Sequence, residues 1–310
     1  MNAFERDLAV RFGDARIGAN VSLASYTTLR IGGPADWFVT LRSANEVVDA
    51  IAIARLHQVP VTVIGGGSNL LVADAGVRGL VIRVHGGDVI AVDESTIRAD
   101  AGVTINGLVR WTINRGVSGL EAWAGTPGTV GGAIHGNAHF QGRLIADIVK
   151  SVTLVEPGGT ISNVPADAME FAYDYSRLHR TREIVVAVEF RSGSGNPHEL
   201  RDVARSSLAF RKRTQPLEAA SAGCMFQNPD PSVDAVPADI PASAGALVDR
   251  AGLKGARVGS ARVSMTHGNF IVNEGAATAE DVASLVGRCK REVWQRFGVR
   301  LREEVVRLGF

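Results

Sequence analysis

Cysteine is nearly absent from this chain: two residues in 310, Cys224 and Cys289, cannot build a disulfide framework. Net charge is nearly absent too, at +1, so composition gives no reason to expect nucleic acid or an anionic membrane as partner. No apolar run approaches the roughly 20 residues that cross a bilayer. The first twenty positions are interrupted by Glu5, Arg6, Asp7, Arg11, Asp14 and Arg16; no signal peptide is visible, and the expected compartment is the cytoplasm. Repeats and low-complexity tracts are missing. No metal site is expected. What remains is a chain with 45% hydrophobic residues, long enough for about two domains with a sizeable core.

Glycine is plentiful, and its placement is informative. Gly65-Gly66-Gly67-Ser68-Asn69-Leu70 follows the apolar run Val59–Ile64, reading as a strand that ends in bare backbone. Residues without Cβ let main-chain N–H groups converge on an anion such as a diphosphate. There is no Gly-Lys-Ser/Thr for a P-loop, and Leu70 stands where the dinucleotide fingerprint needs its third glycine. A second glycine-dense stretch, Gly125-Thr126-Pro127-Gly128-Thr129-Val130-Gly131-Gly132-Ala133, adds donors and two hydroxyls around one proline turn. Two such loops suit the two ends of one large cofactor. Thr28-Leu29-Arg30-Ile31-Gly32-Gly33-Pro34 adds a third turn, which also reads simply as a reversal before a strand at Asp36–Val39.

Periodicity predicts a mixed chain. Ser43-Ala44-Asn45-Glu46 has capping-box spacing before a helix carrying Val47, Val48, Ile51, Ala54 and Leu56. Thr104 opens another helix, closed by Gly116. Strands are expected at 80–84, 96–99, 152–155 and 184–190, with Glu156-Pro157-Gly158-Gly159 as a hairpin turn. A helix runs from Pro197 to about Arg213, and others lie near 244–251 and 279–297. The last bears Val282, Leu285, Val286, Cys289, Val293 and Phe297 on one stripe. The main boundary is expected at Gln215-Pro216, where periodicity breaks.

Ordered segments along nearly the whole chain, TTLRIGGPAD (27–36), GGGSNLLVAD (65–74), GTPGTVGGAI (125–134), QPLEAASAGCMFQNP (215–229), 243–273 and LREEVVRLG (301–309), resemble the UDP-N-acetylenolpyruvoylglucosamine reductases, the MurB family. The resemblance implies an α+β protein. Its two-part FAD-binding region of the vanillyl-alcohol-oxidase (PCMH) type would occupy 1–213, with a core at about 28–192. An α/β substrate-binding domain would follow at 214–300, and a C-terminal strand at 301–310 would return to the FAD side. Noncovalent FAD, NADPH as hydride source and a UDP-sugar enol ether as substrate are implied, in a monomer of the compact second type that lacks the tyrosine-bearing insertion.

By motif position, FAD would meet Ile31, Gly32, Gly65, Gly66, Gly67, Ser68, Asn69, Leu70, Gly125, Thr126, Pro127, Gly128, Thr129, Gly132, Ala133 and Arg211. Tyr173, Asn228 and His267 match substrate-contacting positions. Cys224 stands where the family carries serine or cysteine as proton donor, and a thiol, with an ordinary pKa of about 8.5, is a better acid than a hydroxyl. Glu304 matches the family's active-site glutamate, with Glu303 as its exposed neighbour; a protonated carboxyl there would hydrogen-bond a developing enolate. Cys289, on an apolar stripe, is assigned to the core.

Two departures stand out. The family pattern Tyr-Arg-x-Ser reads Tyr173-Asp174-Tyr175-Ser176 here, and an ionised carboxylate cannot stabilise a neighbouring anion. Arg177, three residues on, reaches the same place if the backbone bends, with Arg180 and Arg182 as further candidates. His139 and Phe140 stand where the family has Gly-Ala-Tyr-Gly. The alternatives are therefore a catalytically altered FAD and UDP-sugar binding relative, or another vanillyl-alcohol-oxidase-type flavoenzyme.

Overall fold

The computed structural model describes residues 2–310. The chain divides into two compact units whose segments interleave: one holds the N-terminal residues to 21 together with 35–66 and 78–209, the other holds 22–34, 67–77 and 210–310. The division falls inside the helix Pro197–Thr214, and two short early segments join the C-terminal unit.

The first unit carries two sheets. Four strands lie in the order Ile17–Ser22, Pro34–Leu41, Val77–Val84, Val61–Ile64, and the last pair is parallel, with Ile64 beside Arg83. The helix Ala44–Leu56 precedes the strand that leads into Gly65, and its Ser43/Glu46 capping box is formed. The other sheet has five strands, ordered Ile161–Pro165, Val149–Val155, Ile184–Arg191, Thr96–Asp100, Val89–Asp93. Its neighbours are antiparallel, with Glu156–Thr160 closing the hairpin where expected. Thr104 caps the helix Ile105–Asn114 through the Gly107 N–H at 3.0 Å.

In the second unit an antiparallel sheet, Ala220–Cys224, Phe270–Asn273, Ala261–Val263, Arg257–Val258, packs with the helices Ala244–Arg250 and Ala279–Phe297. The long helix buries Val282, Leu285, Val286, Cys289 and Val293, the stripe its 3.6-residue period dictates. Leu29, Ile31 and Leu71 enter this same core, which is why the early segments belong here. Asp74 seals the junction: its carboxylate accepts the Ala279 and Glu280 N–H groups at 2.9 and 3.1 Å, satisfying orphan donors at the helix start. The strand Leu70–Val72, leaving the glycine loop, pairs in parallel with the terminal strand Val306–Leu308.

Burial pushes the Cys289 thiol up to about 12, whereas Cys224 is only half-buried. The native protein should titrate one thiol per chain with a chromogenic disulfide at pH 8 and two after denaturation; two in the native state would contradict the core placement of Cys289.

Candidate functional site

In the first unit, the two glycine loops lie against one another. A Cβ on Gly65 would come within 2.4 Å of Thr129 Oγ1, and one on Gly66 within 2.6 Å of Gly128 Cα. At Gly66 the contact is with backbone, which excludes any side chain there. Thr129 caps the helix Val130–His135 through Gly132 N–H, while Gly125 donates to Asn106 Oδ1 at 2.7 Å. Among the described residues, the main-chain N–H of Gly66 meets no acceptor. Donors left open in this way are what an anionic group requires.

The next part of that loop belongs to the second unit. Gly67 has φ +65°, and a Cβ there would overlap Tyr26 O; its carbonyl accepts the Thr28 N–H at 3.0 Å. Gly32 has φ +148°, and Ile31 is buried with its N–H on Thr27 Oγ1. Thr28 thus ties the TTLRIGG segment to the Gly67 turn.

Cys224 ends its strand after a register shift between Ser221 and Cys224. Gly223, at φ +79°, provides the bulge that re-aims the chain there. The neighbouring backbone is tied down at every step. Met225 N–H bonds Asn269 O at 2.8 Å, and the Asn269 side chain accepts from Phe226 N–H and donates to Phe226 O at 2.9 and 2.7 Å. Phe226 in turn stands opposite Glu303, and Glu304 N–H donates to Met225 O at 2.9 Å. The structure therefore brings the backbones of Cys224 and Glu304, eighty positions apart, to adjacent places on one ladder. Glu303 is not exposed as expected: Lys290 and Arg307 pair with it at 2.8 and 2.7 Å. Burial opposes its ionisation, yet these two partners hold it below the usual carboxylate range.

His267 Nδ1 accepts the Asn269 N–H at 3.1 Å, leaving the ring proton on Nε2. Burial and then Lys254 push its pKa down. Asn228 Oδ1 accepts from Ala244 N–H at 3.1 Å, at the start of the helix Ala244–Arg250. Arg211 is 5% exposed; burial lowers its pKa to about 10, partly opposed by Cys224 when that residue is ionised, so it remains a cation at neutral pH. Asn269, never singled out from the sequence, is the buried hub of these bonds, and a side-chain amide facing one backbone peptide leaves no periodic signal.

The departures from the family pattern prove to be related. Asp174 occupies the left-handed region at φ +51°, in a tight turn where Ala172 and Tyr175 exchange backbone bonds. Its carboxylate lies 3.0 Å from His139 Nδ1, and the His139 ring is 4.9 Å from that of Tyr173. Arg177 is committed elsewhere: it grips Glu183 through two bonds of 2.9 and 2.6 Å and also bonds Ala168 O. Arg180 pairs with Glu170.

A family model described as FAD binding domain matches residues 35–164, and one described as UDP-N-acetylenolpyruvoylglucosamine reductase, C-terminal domain, matches 215–308. A relative from Symbiobacterium thermophilum, UDP-N-acetylenolpyruvoylglucosamine reductase 2, is 40% identical over 94% of this chain and 91% of its own. The reductase of Bacillus subtilis is 36% identical over 95% and 94%. The crystal structure of UDP-N-acetylenolpyruvylglucosamine reductase from Thermus caldophilus superposes with a TM-score of 0.78 at 35% identity, covering 94% of this chain and 99% of that one. On these matches over nearly its whole length, the chain belongs to the UDP-N-acetylenolpyruvoylglucosamine reductase family.

Proposed function

We propose that this protein reduces the enolpyruvyl double bond of UDP-N-acetylglucosamine enolpyruvate to give UDP-N-acetylmuramate, a step of peptidoglycan precursor synthesis, with FAD as redox group and NADPH as electron source. The observation that carries this reading is the ladder that sets Glu304 N–H on Met225 O, directly after Cys224. When bound, FAD supplies the hydride chemistry between NADPH and the enol ether. The glycine loops of the first unit suit it: an open N–H donor at Gly66 and a contact with Gly128 that leaves no room for a Cβ support an anion held by main chain. Arg211 adds a guanidinium for the same charge. Ile31, Gly32, Gly65, Gly67, Ser68, Asn69, Leu70, Gly125–Thr129, Gly132 and Ala133 complete the assigned cofactor set.

Hydride addition at the terminal carbon of the enolpyruvyl group leaves negative charge on the adjacent carbon and its carboxylate. Cys224 Sγ gives its proton to that adjacent carbon, forming the C–H bond and leaving a thiolate that water reprotonates. The Glu304 carboxyl donates a hydrogen bond to the developing enolate. Tyr173, Asn228 and neutral His267 bind the UDP-sugar. The reading includes a monomer acting in the cytoplasm, with neither membrane nor nucleic acid as partner; among the described residues no helix is long and apolar enough to cross a membrane.

A second reading, a relative that binds FAD and the UDP-sugar without turnover, is favoured by one observation: Arg177, the cation nearest in sequence to Asp174, is engaged by Glu183. The two readings separate on NADPH consumption, which the second denies.

Cys224→Ala should keep the yellow flavin spectrum and its bleaching by anaerobic NADPH, but slow recolouring by the enolpyruvyl substrate by roughly 10²–10⁴-fold; unchanged recolouring removes Cys224 from the mechanism. Arg177→Ala should cost about 2 kcal/mol in urea unfolding by breaking charge-assisted bonds, with turnover of the folded protein near wild type. Burial raises the Glu183 pKa, but Arg177 and Thr181 outweigh it and hold it low. Its contribution is therefore present above the usual carboxylate range and lost as pH falls through the depressed value, and Arg177→Ala should flatten that acid limb. Collapsed turnover at unchanged stability would instead make Arg177 the cation at the enolate.

A further inference from the structure

Asn69 closes the glycine run, and its side chain reaches the main chain of Glu304. Its Nδ2 donates to the main-chain carbonyl of Glu304 at 3.1 Å, and the Asn69 main-chain carbonyl accepts the Val306 N–H at 3.0 Å. From there the strands Leu70–Val72 and Val306–Leu308 continue in parallel register, Leu70 beside Val306. Glu304 is thus held at both ends of its backbone, N–H by Met225 and C=O by Asn69. The other end of the amide is buried, and among the described residues Asn69 Oδ1 receives no hydrogen bond. An acceptor buried without a donor is destabilising, and a residue that only filled space would avoid it. The chain keeps the amide for what Nδ2 does.

We propose that Asn69 is a positioning residue for Glu304: it couples the loop that cradles the cofactor to the carboxyl that meets the enolate, so that filling the loop orders the strand bearing Glu304. The proposal rests on the reading of Glu304 above, yet the coupling is a property of the loop and strand themselves. An amide is required because Glu304 offers a carbonyl there, and only a donor can meet it. Asp at this position has the same shape without the donor, and Ala removes both.

The test is hydrogen exchange at residues 304–306, read in apoprotein and at saturating FAD, for wild type, Asn69→Asp and Asn69→Ala. In wild type FAD should slow exchange of these amides; in both variants apoprotein exchange should be faster than wild type, and the slowing by FAD should be largely lost. In stopped-flow with FAD bound, recolouring by UDP-N-acetylglucosamine enolpyruvate should fall by roughly 10–100-fold in Asn69→Ala, a larger loss than in bleaching by NADPH, with kcat moving more than KM. Wild-type exchange in both variants, or wild-type recolouring in Asn69→Asp, overturns the proposal. If wild type itself fails to recolour, the reduction reading falls while the exchange result still decides the coupling.

Discussion

One short antiparallel contact governs this molecule: Phe226 opposite Glu303, with Glu304 N–H on Met225 O and Gln227 N–H on Arg302 O. It joins chain positions that no local preference would bring together, and the second unit is built to preserve it. On one side Asn269 grips the Phe226 peptide from both ends. On the other, Lys290 and Arg307 neutralise Glu303 and the terminal strand is zipped to Leu70–Val72. A backbone peptide bonded at both ends has little freedom left, so the side chains of residues 224 and 304 inherit positions fixed by main chain.

Glycine serves the complementary need. Where Asn269 and Asn69 immobilise backbone groups, Gly66 leaves its N–H open while packing against the Gly128 backbone at a distance no Cβ tolerates. An open main-chain donor of this kind suits an anion. Gly223 does something different: its positive φ shifts the strand register just before Cys224.

The elements were largely legible in the sequence because their signals are local. Ser43 with Glu46 forms the capping box its spacing announces, and the apolar stripe around Cys289 is the buried one. Segment membership was not legible. Leu29, Ile31 and Leu71 join a core made mostly of residues after 220, and no pattern within ten residues of them says so. The site was legible in residue type through family resemblance, but Glu303 read as exposed and Arg177 as available, since a partner such as Lys290 or Glu183 is specified only by the fold. The pairing of His139 with Asp174 was hidden for the same reason: two separate oddities become one interaction only in three dimensions.

The central claim is that this chain reduces an enolpyruvyl sugar nucleotide. Its most direct test is anaerobic incubation of the FAD-loaded protein with NADPH and UDP-N-acetylglucosamine enolpyruvate, followed by mass analysis of the sugar nucleotide. The account predicts a product two hydrogen atoms heavier, formed in step with NADPH oxidation; substrate recovered unchanged beside a flavin that stays bleached would contradict it.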